Sequence, residues 1–431
     1  MKKIIDLNSG TSKTNFRYSR FIAMLAFFFF YITSSEIFSK ELEVCKEKCK
    51  FRSIQAAIDS ANPGDTIRIR KGIYQEGMIS ISKPLILEGT AGVVLDGKKE
   101  KHVLDIRSNN VVIRRLDIVG SGVSDTSEYA GVHAEKIKSC VIENNTFEDN
   151  AYAMYLAEVE DCIVRGNISS GNAINEVSGG NGIHLWSSKA IRIEGNELKK
   201  HRDGIYLEFS SNLKIEENFS HDNIRYGMHF MFSSDNDFRG NRFENNSAGV
   251  AVMYSKNILI ENNRFENNWG DSSYGLLLKE ISESILTKNS FVHNTVAIFA
   301  DGCNRNYFTH NDLKDNGWGV RILGNSESNQ FVQNEFKENV FDISTNTKHS
   351  TNTFKENYWD SYDGYDLDLD KFGDISHKPV HFFGYWVVVY PFLMVLYNSP
   401  VVNFLQAIEN AFPIVTPIDL EDPKPKMRSH V

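Results

Sequence analysis

An asparagine recurs through the middle of the chain at Asn145, Asn167, Asn196, Asn218, Asn241, Asn263, Asn289, Asn311, Asn334 and Asn357. The intervals are 22, 29, 22, 23, 22, 26, 22, 23 and 23 residues. Three positions before each stands an apolar residue: Ile142, Val164, Ile193, Ile215, Phe238, Ile260, Leu286, Phe308, Phe331 and Phe354. A fixed period of this length marks a stacked repeat architecture. It leaves no room for a helix of ten residues between strands, which excludes βαβ units. Each repeat must turn through two or three short strands and stack on the next at ~4.8 Å. The expectation is an all-β chain, a right-handed parallel β-helix with coils of about 22 residues. The repeated Asn suits a bend, because its side chain bonds nearby backbone and it tolerates left-handed conformations. Stacked, the Asn side chains can bond one another as a ladder, a structural role.

A second column runs in phase with the first: Gly182-Ile183-His184-Leu185, Gly204-Ile205-Tyr206-Leu207, Gly227-Met228-His229-Phe230, Gly249-Val250-Ala251-Val252 and Gly275-Leu276-Leu277-Leu278. The alternation is that of strands with one buried face. If Met228, Phe230 and Phe232 point inward, His229 and Met231 point outward. Ala251 and Met253 are outward in the next coil, Tyr206 and Glu208 in the previous one, and His184 and Trp186 one before that. Excess residues at Asn172 to Gly180 and at Trp269 to Tyr274 read as loops leaving the coil.

Both ends of such a coil need covers. Ser53 to Ile58 reads as a short amphipathic helix capping the first coil, stopped at Asn62-Pro63-Gly64-Asp65 before a strand Thr66 to Ile69. The basic residues Lys2, Lys3, Arg17 and Arg20 precede an apolar run of 12 residues, Phe21 to Ile32, and small residues at Thr33, Ser34 and Ser35. That is the pattern of an export signal, too short to span a bilayer comfortably. The expected organisation is a signal peptide over 1–39, an N-terminal cap over 40–70, the β-helix over 71–360, an acidic loop over 361–381 and an apolar C-terminal segment with an extended tail over 382–431. Export permits disulfides. Cys45 and Cys49 suit a local clip or two free thiols. Cys140 and Cys162, 22 residues apart, suit a disulfide between stacked coils or two buried thiols. The net charge of −9, with both signs interspersed, argues against a nucleic-acid partner.

After the repeat, Asp366, Asp368 and Asp370 alternate as carboxylates do in calcium loops, without the Gly and terminal Glu of an EF-hand. Tyr385 to Tyr397 is apolar but too short for a membrane span. Ser399-Pro400 starts a helical pattern carrying Val402, Leu405, Ala407, Ile408 and Phe412. This apolar surface either folds back as a cap or docks on a partner. Pro413, Pro417, Pro423 and Pro425 make the tail extended.

Three motifs in order resemble one family. Gly227-Met228-His229-Phe230-Met231-Phe232-Ser233 with Arg239-Gly240-Asn241 resembles the core of the NosD family, periplasmic maturation factors of nitrous oxide reductase. Asn357-Tyr358-Trp359-Asp360 with Tyr362-Asp363-Gly364-Tyr365-Asp366 resembles the segment ending that family's coil, and Asp422-Pro423-Lys424-Pro425-Lys426-Met427 its tail. The resemblance implies a non-enzymatic periplasmic accessory protein. Its partners would be an ABC transporter permease at the inner membrane, a membrane-anchored copper chaperone, and the apo-reductase whose copper–sulfur centre is being built. The family's acidic loop carries more Gly than this one, where Leu369 and Lys371 interrupt the pattern, which weakens a calcium reading.

The outward column offers a matching donor set. Met231 and Met253 lie one coil apart, His229 is two positions from Met231 on the same face, and His184 lies two coils back. Thioethers with an imidazole are soft donors that select Cu(I). The competing structural reading is packing, since exposed Met also serves adaptable protein contacts. The competing functional class is a periplasmic carbohydrate-binding or carbohydrate-active β-helix, lyase- or epimerase-like. A glycoside hydrolase needs paired acids, and the outward columns near His229 offer only Glu208. His201-Arg202-Asp203 and His221-Asp222 read as solvated turn residues. Tyr206, Trp186 and Trp269 are the candidates for a sugar-stacking surface.

Overall fold

The structure is a computed structural model that describes residues 39–429 except 125, 177, 178, 398 and 412–418. Residues 1–38 of the expected signal peptide, and Phe412, Pro413 and Pro417, lie outside the described residues.

The chain winds as a right-handed parallel β-helix whose three sheets run its whole length. The first sheet has 14 strands, from Glu41–Val44 to Thr353–Lys355. The second has 13, from Gly72–Tyr74 to Tyr358–Trp359. The third has 12, from Ile79–Ile81 to Phe341–Thr345. All neighbouring strands pair in parallel, as when Ile215 meets Phe238 and Phe238 meets Ile260. The apolar residues three positions before each repeated Asn are all buried in one continuous core. Burying each of these side chains contributes about 1.5–3 kcal/mol. Like residues stack on like: Phe308, Phe331 and Phe354 follow one another at centroid distances of 4.3 and 4.6 Å.

The repeated Asn side chains form a ladder inside the coil. Asn241 donates its backbone N–H and its side-chain amide to Oδ1 of Asn263, at 3.0 Å each, and the pattern holds from Asn145 to Asn357. The left-handed conformation does not fall on these residues. It falls on the residue before each one, for example Asn144, Gly166, Glu217, Gly240 and Glu356, which frees the ladder Asn to turn inward. A shorter second ladder, Asn223 to Asn339, follows the second sheet.

At the front, the helix Ile54–Ser60 covers the first coil with Ile54, Ala57 and Ile58, and Ser53 caps it by accepting from the Ala56 N–H. The first sheet already begins upstream at Glu41–Val44, because Leu42 and Val44 alternate inward and pair with Ile67 and Ile69. Cys45 and Cys49 form a local disulfide, and Cys140 and Cys162 a disulfide between stacked coils.

The C-terminal segment folds back. Helix Phe382–Val389, a 3-10 turn Pro391–Leu396 and helix Pro400–Ala411 follow the coil. Phe383, Val387 and Val402 pack on Val296, Trp318 and Phe341. The last three belong to the outer face of the third sheet, so this segment covers a side of the coil. The open end is closed by the tail, where Asp422 and Lys426 bridge to His377 and to Tyr358 and Phe372.

Candidate metal-donor face on the third sheet

Loops and side chains converge on the outer face of the third sheet. The insertions at 172–180 and 269–274, and a third at 120–129, all leave the turn that precedes this sheet. Strand pairing stacks Asp105, His133, Tyr155, His184, Tyr206, His229 and Ala251 into one outward column. Two residues further along each strand, Trp186, Glu208, Met231 and Met253 form a second column.

Met231 pairs directly with Met253, and both are half-exposed. His229 shares the strand Tyr226–Met231 with the first of them. His229 is only 4% exposed and His184 only 7%, so outward phase does not here mean contact with water. Tyr206 lies between the two imidazoles, at centroid distances of 4.7 Å from His184 and 4.9 Å from His229, and Tyr226 packs edge-on against His229. Neither ring nitrogen of His229 has a hydrogen-bond partner, nor has Nε2 of His184. Buried polar atoms are ordinarily paired, and these bare nitrogens are the lone pairs and N–H groups a ligand would engage. Burial lowers the His184 pKa to about 3, so its ring is neutral at physiological pH.

Asp203 is the correction to the sequence-based expectation. It is not a solvated turn residue: it opens the strand Asp203–Glu208 and is fully buried. Arg225 grips it with both Nε and Nη2, and the Tyr226 N–H donates to Oδ1 at 3.3 Å. Burial raises its pKa, but the Arg225 hydrogen bonds outweigh that and hold the carboxyl below its usual range. Its Oδ2 lies 3.7 Å from His229 Nδ1, just beyond direct hydrogen bonding. Around His229 the face therefore carries a second acid besides Glu208. The separation of 22 residues between Asp203 and Arg225, one coil, is the sequence signal that marks the pair. His201 is likewise buried, with Nε2 bonded to Ser169 Oγ at 2.8 Å, while Arg202 is partly exposed beside Asp203. His221 lies on the strand Phe219–His221 and pairs with Asp222 at 2.6 Å.

Beside the Met pair runs an aromatic corner. Phe209, Phe232 and Tyr254 stack at 5.3 and 4.9 Å, and the first two are about half exposed. Trp269 stacks on His293 at a centroid distance of 4.8 Å.

Asp366, Asp368 and Asp370 bring carboxylate oxygens within 4.8 Å of one another. Asp366 and Asp368 accept backbone N–H groups from Asp370 and Lys371, and Lys424 Nζ neutralises Asp370 at 2.8 Å. Such a cluster can coordinate a metal ion through one oxygen of each residue.

Residues 170–364 match the family described as periplasmic copper-binding protein (NosD), and residues 8–196 match the right handed beta helix region. A probable ABC transporter binding protein NosD of Pseudomonas aeruginosa is 27% identical over 401 residues, covering 82% of this chain and 86% of the relative. Its namesake in Stutzerimonas stutzeri is 27% identical over 385 residues, covering 84% and 86%. A family 28 exopolygalacturonase of Yersinia enterocolitica superposes with a TM-score of 0.51 at 11% identity, over 73% of this chain and 77% of that one, a likeness of fold alone. Both relatives are described as probable ABC transporter binding proteins. No helix among the described residues is long and apolar enough to cross a membrane. Over residues 170–364 the chain is thus similar to the periplasmic NosD family, and over most of its length to two probable ABC transporter binding proteins of that name.

Proposed function

We propose that this protein relays Cu(I) during assembly of the copper–sulfur centre of nitrous oxide reductase, with Met231, Met253 and His229 as the ligands that hold the ion in passage. The observation that carries the reading is the direct pairing of Met231 with Met253 beside an imidazole whose two nitrogens are buried and unpartnered. Two thioethers and an imidazole make a soft donor set suited to Cu(I). His184 is a reserve donor behind Tyr206. Asp203, fixed by Arg225, is the carboxylate that faces the ring, its Oδ2 3.7 Å from Nδ1 of His229, so its charge would orient the imidazole with Nε2 toward a metal. The half-exposed Met pair leaves a coordination position for a group from a membrane-anchored copper chaperone, and the aromatic corner at Phe209 and Phe232 flanks that approach.

The C-terminal segment supports the partner assignment. It packs on the coil through Phe383, Val387 and Val402, yet leaves Phe392 at 70% and Val395 at 88% exposure. Contiguous exposed apolar surface marks an interaction site, here for the permease of the ABC transporter. The acidic loop at Asp366, Asp368 and Asp370 is a separate candidate for calcium, which needs more oxygens than these three supply.

The test is anaerobic Cu(I) titration against a chromophoric competitor, comparing the wild type with the Met231→Ala, Met253→Ala double variant, followed by reductase maturation assays. Tight binding in the wild type and its loss in the variant support the relay. Unchanged binding and unchanged maturation overturn it.

A further inference from the structure

Beside His229 the outer face holds a cation that has no partner and that the relay does not use. Among the described residues Arg202 has no carboxylate nearer than Asp203, whose Oδ2 lies 4.0 Å from its Nε. That carboxylate is already taken by Arg225 and by the Tyr226 N–H. Glu176, on the insertion at 172–180, acts on Arg225 by its charge but forms an ion pair with neither arginine. Two guanidinium groups therefore share one bonded carboxylate, with a positive charge in excess. Nε of Arg202 is buried without a hydrogen bond, and only 22% of the side chain is exposed. An unpaired charge in such a place is costly, which points to an anion that arrives from outside. The insertion holds the stem of Arg202: Gly180 O accepts the Arg202 N–H at 2.9 Å, and a Cβ on Gly179 would meet the Cβ of Arg202 at 3.0 Å.

Two more orphaned atoms lie beside it. Asn181 follows Gly180 and is fully buried, and its Oδ1 accepts no hydrogen bond. Its Nδ2 donates to Nδ1 of His184 at 3.4 Å, so the neutral ring carries its proton on Nε2, and that N–H has no acceptor. The charge of Arg202 reaches His184, where it adds to burial in depressing the pKa. Tyr206 and Tyr152 flank the imidazole at centroid distances of 4.7 and 5.7 Å. The set offers two donors, the guanidinium of Arg202 and Nε2–H of His184, and one acceptor, Oδ1 of Asn181. A water molecule would satisfy the two neutral atoms but not balance the charge of Arg202. An anion that only accepts would leave Asn181 unpaired. An oxyanion with a hydroxyl of its own meets all three.

We infer that Arg202, His184 and Asn181 bind a small oxyanion that also bears an O–H, a hydroxycarboxylate or a hydrogenphosphate. Its charge pairs with the guanidinium, whose planar fork takes two oxygens at once. Its hydroxyl accepts from His184 and donates to Asn181. In this tautomer His184 donates a hydrogen bond, which withdraws it from its reserve place in the relay and leaves copper to His229, Met231 and Met253. The anion site stands without the copper reading, because none of its three residues is a required ligand there.

The experiment is isothermal titration of the full, metal-free chain at neutral pH with lactate, inorganic phosphate, acetate and sulfate, with urea midpoints measured alongside. Lactate or phosphate is expected to bind about tenfold or more tightly than acetate or sulfate, which leave Oδ1 of Asn181 buried and unpaired. The tighter of the first two identifies the source, carboxylate or phosphate. Arg202→Gln is expected to weaken binding by about tenfold or more. In anion-free buffer the same variant is expected to raise the urea midpoint, because it removes an unpaired buried charge. Met231→Ala with Met253→Ala is expected to leave anion binding unchanged, so failure of this site and failure of the relay are read separately. No binding of any of these anions, binding that survives Arg202→Gln, or acetate and sulfate equal to lactate and phosphate overturns the site. So does a lowered midpoint in Arg202→Gln, which would make Arg202 a structural partner of Asp203.

Discussion

The carboxylate of Asp422 accepts both the backbone N–H and the side-chain amide of Asn357, at 2.9 and 3.0 Å. These are the donations every other ladder Asn makes to the Asn of the next coil, so Asp422 ends the ladder in place of an Asn. It also takes the indole N–H of Trp359 at 3.2 Å and the Glu356 N–H at 3.2 Å. Asp422→Ala leaves these buried donors unpaired. The expected loss is about 3 kcal/mol of unfolding free energy, with a smaller loss for Asp422→Asn, which keeps one acceptor. Urea midpoints measure it; equal midpoints for wild type and Asp422→Ala would show that the tail closes nothing.

The pH dependence of stability follows from buried imidazoles. Burial lowers His201 to about 4 and His377 to about 3, and His102 and His184 are lowered in the same way. Each binds a proton near 6.5 once unfolded. Between that value and the folded one the unfolded chain holds more protons, so stability is complete above pH 6.5 and falls as the pH drops. Each such histidine costs about 2 kcal/mol between pH 6.5 and 5. Asp342, pushed up to about 7 by burial, and His381, raised by Glu409, act in the opposite sense. Four groups outweigh two, and the urea midpoint is expected to be lower at pH 5 than at pH 7.5. A midpoint that holds or rises at pH 5 contradicts the assignment.

Much of this architecture is legible in the sequence, and the limits have physical causes. The period of 22 residues places Met231 on Met253 and Cys140 on Cys162, because stacked coils repeat in register. Alternation decides which face a side chain takes, but not what lies over it. His229 therefore reads as outward while Tyr206, Tyr226 and the Asp203–Arg225 pair enclose it. Asp203 resembles a turn residue because the conspicuous Gly204 follows it, whereas the strand begins one residue earlier. The closure by Asp422 spans 65 residues and belongs to no repeat, so no periodicity announces it.

Asp203 supplies a prediction that separates positioning from ligation. Asp203→Asn keeps the size of the side chain but loses the charge that Arg225 grips and that faces His229. Cu(I) affinity is expected to fall about 10–100-fold. Unfolding free energy is expected to fall by about 3 kcal/mol, because Arg225 is left half-buried and unpaired. A lowered stability with unchanged copper affinity would make Asp203 structural only.

The exposed C-terminal segment predicts a separable partner contact. Phe392→Asp with Val395→Asp changes side chains that are mostly in solvent, so the coil and its Cu(I) affinity are expected to be unaffected. Co-purification with the transporter is expected to fall at least tenfold, since charge at an apolar contact is left unpaired. Retained co-purification would place the contact elsewhere.

The relay depends on where copper sits. Crystals of the full chain loaded anaerobically with Cu(I), with anomalous data collected above and below the copper edge, test it most directly. A copper peak bounded by the sulfurs of Met231 and Met253 and a nitrogen of His229 is the predicted result. Copper absent from that face, or bound only among Asp366, Asp368 and Asp370, would contradict it.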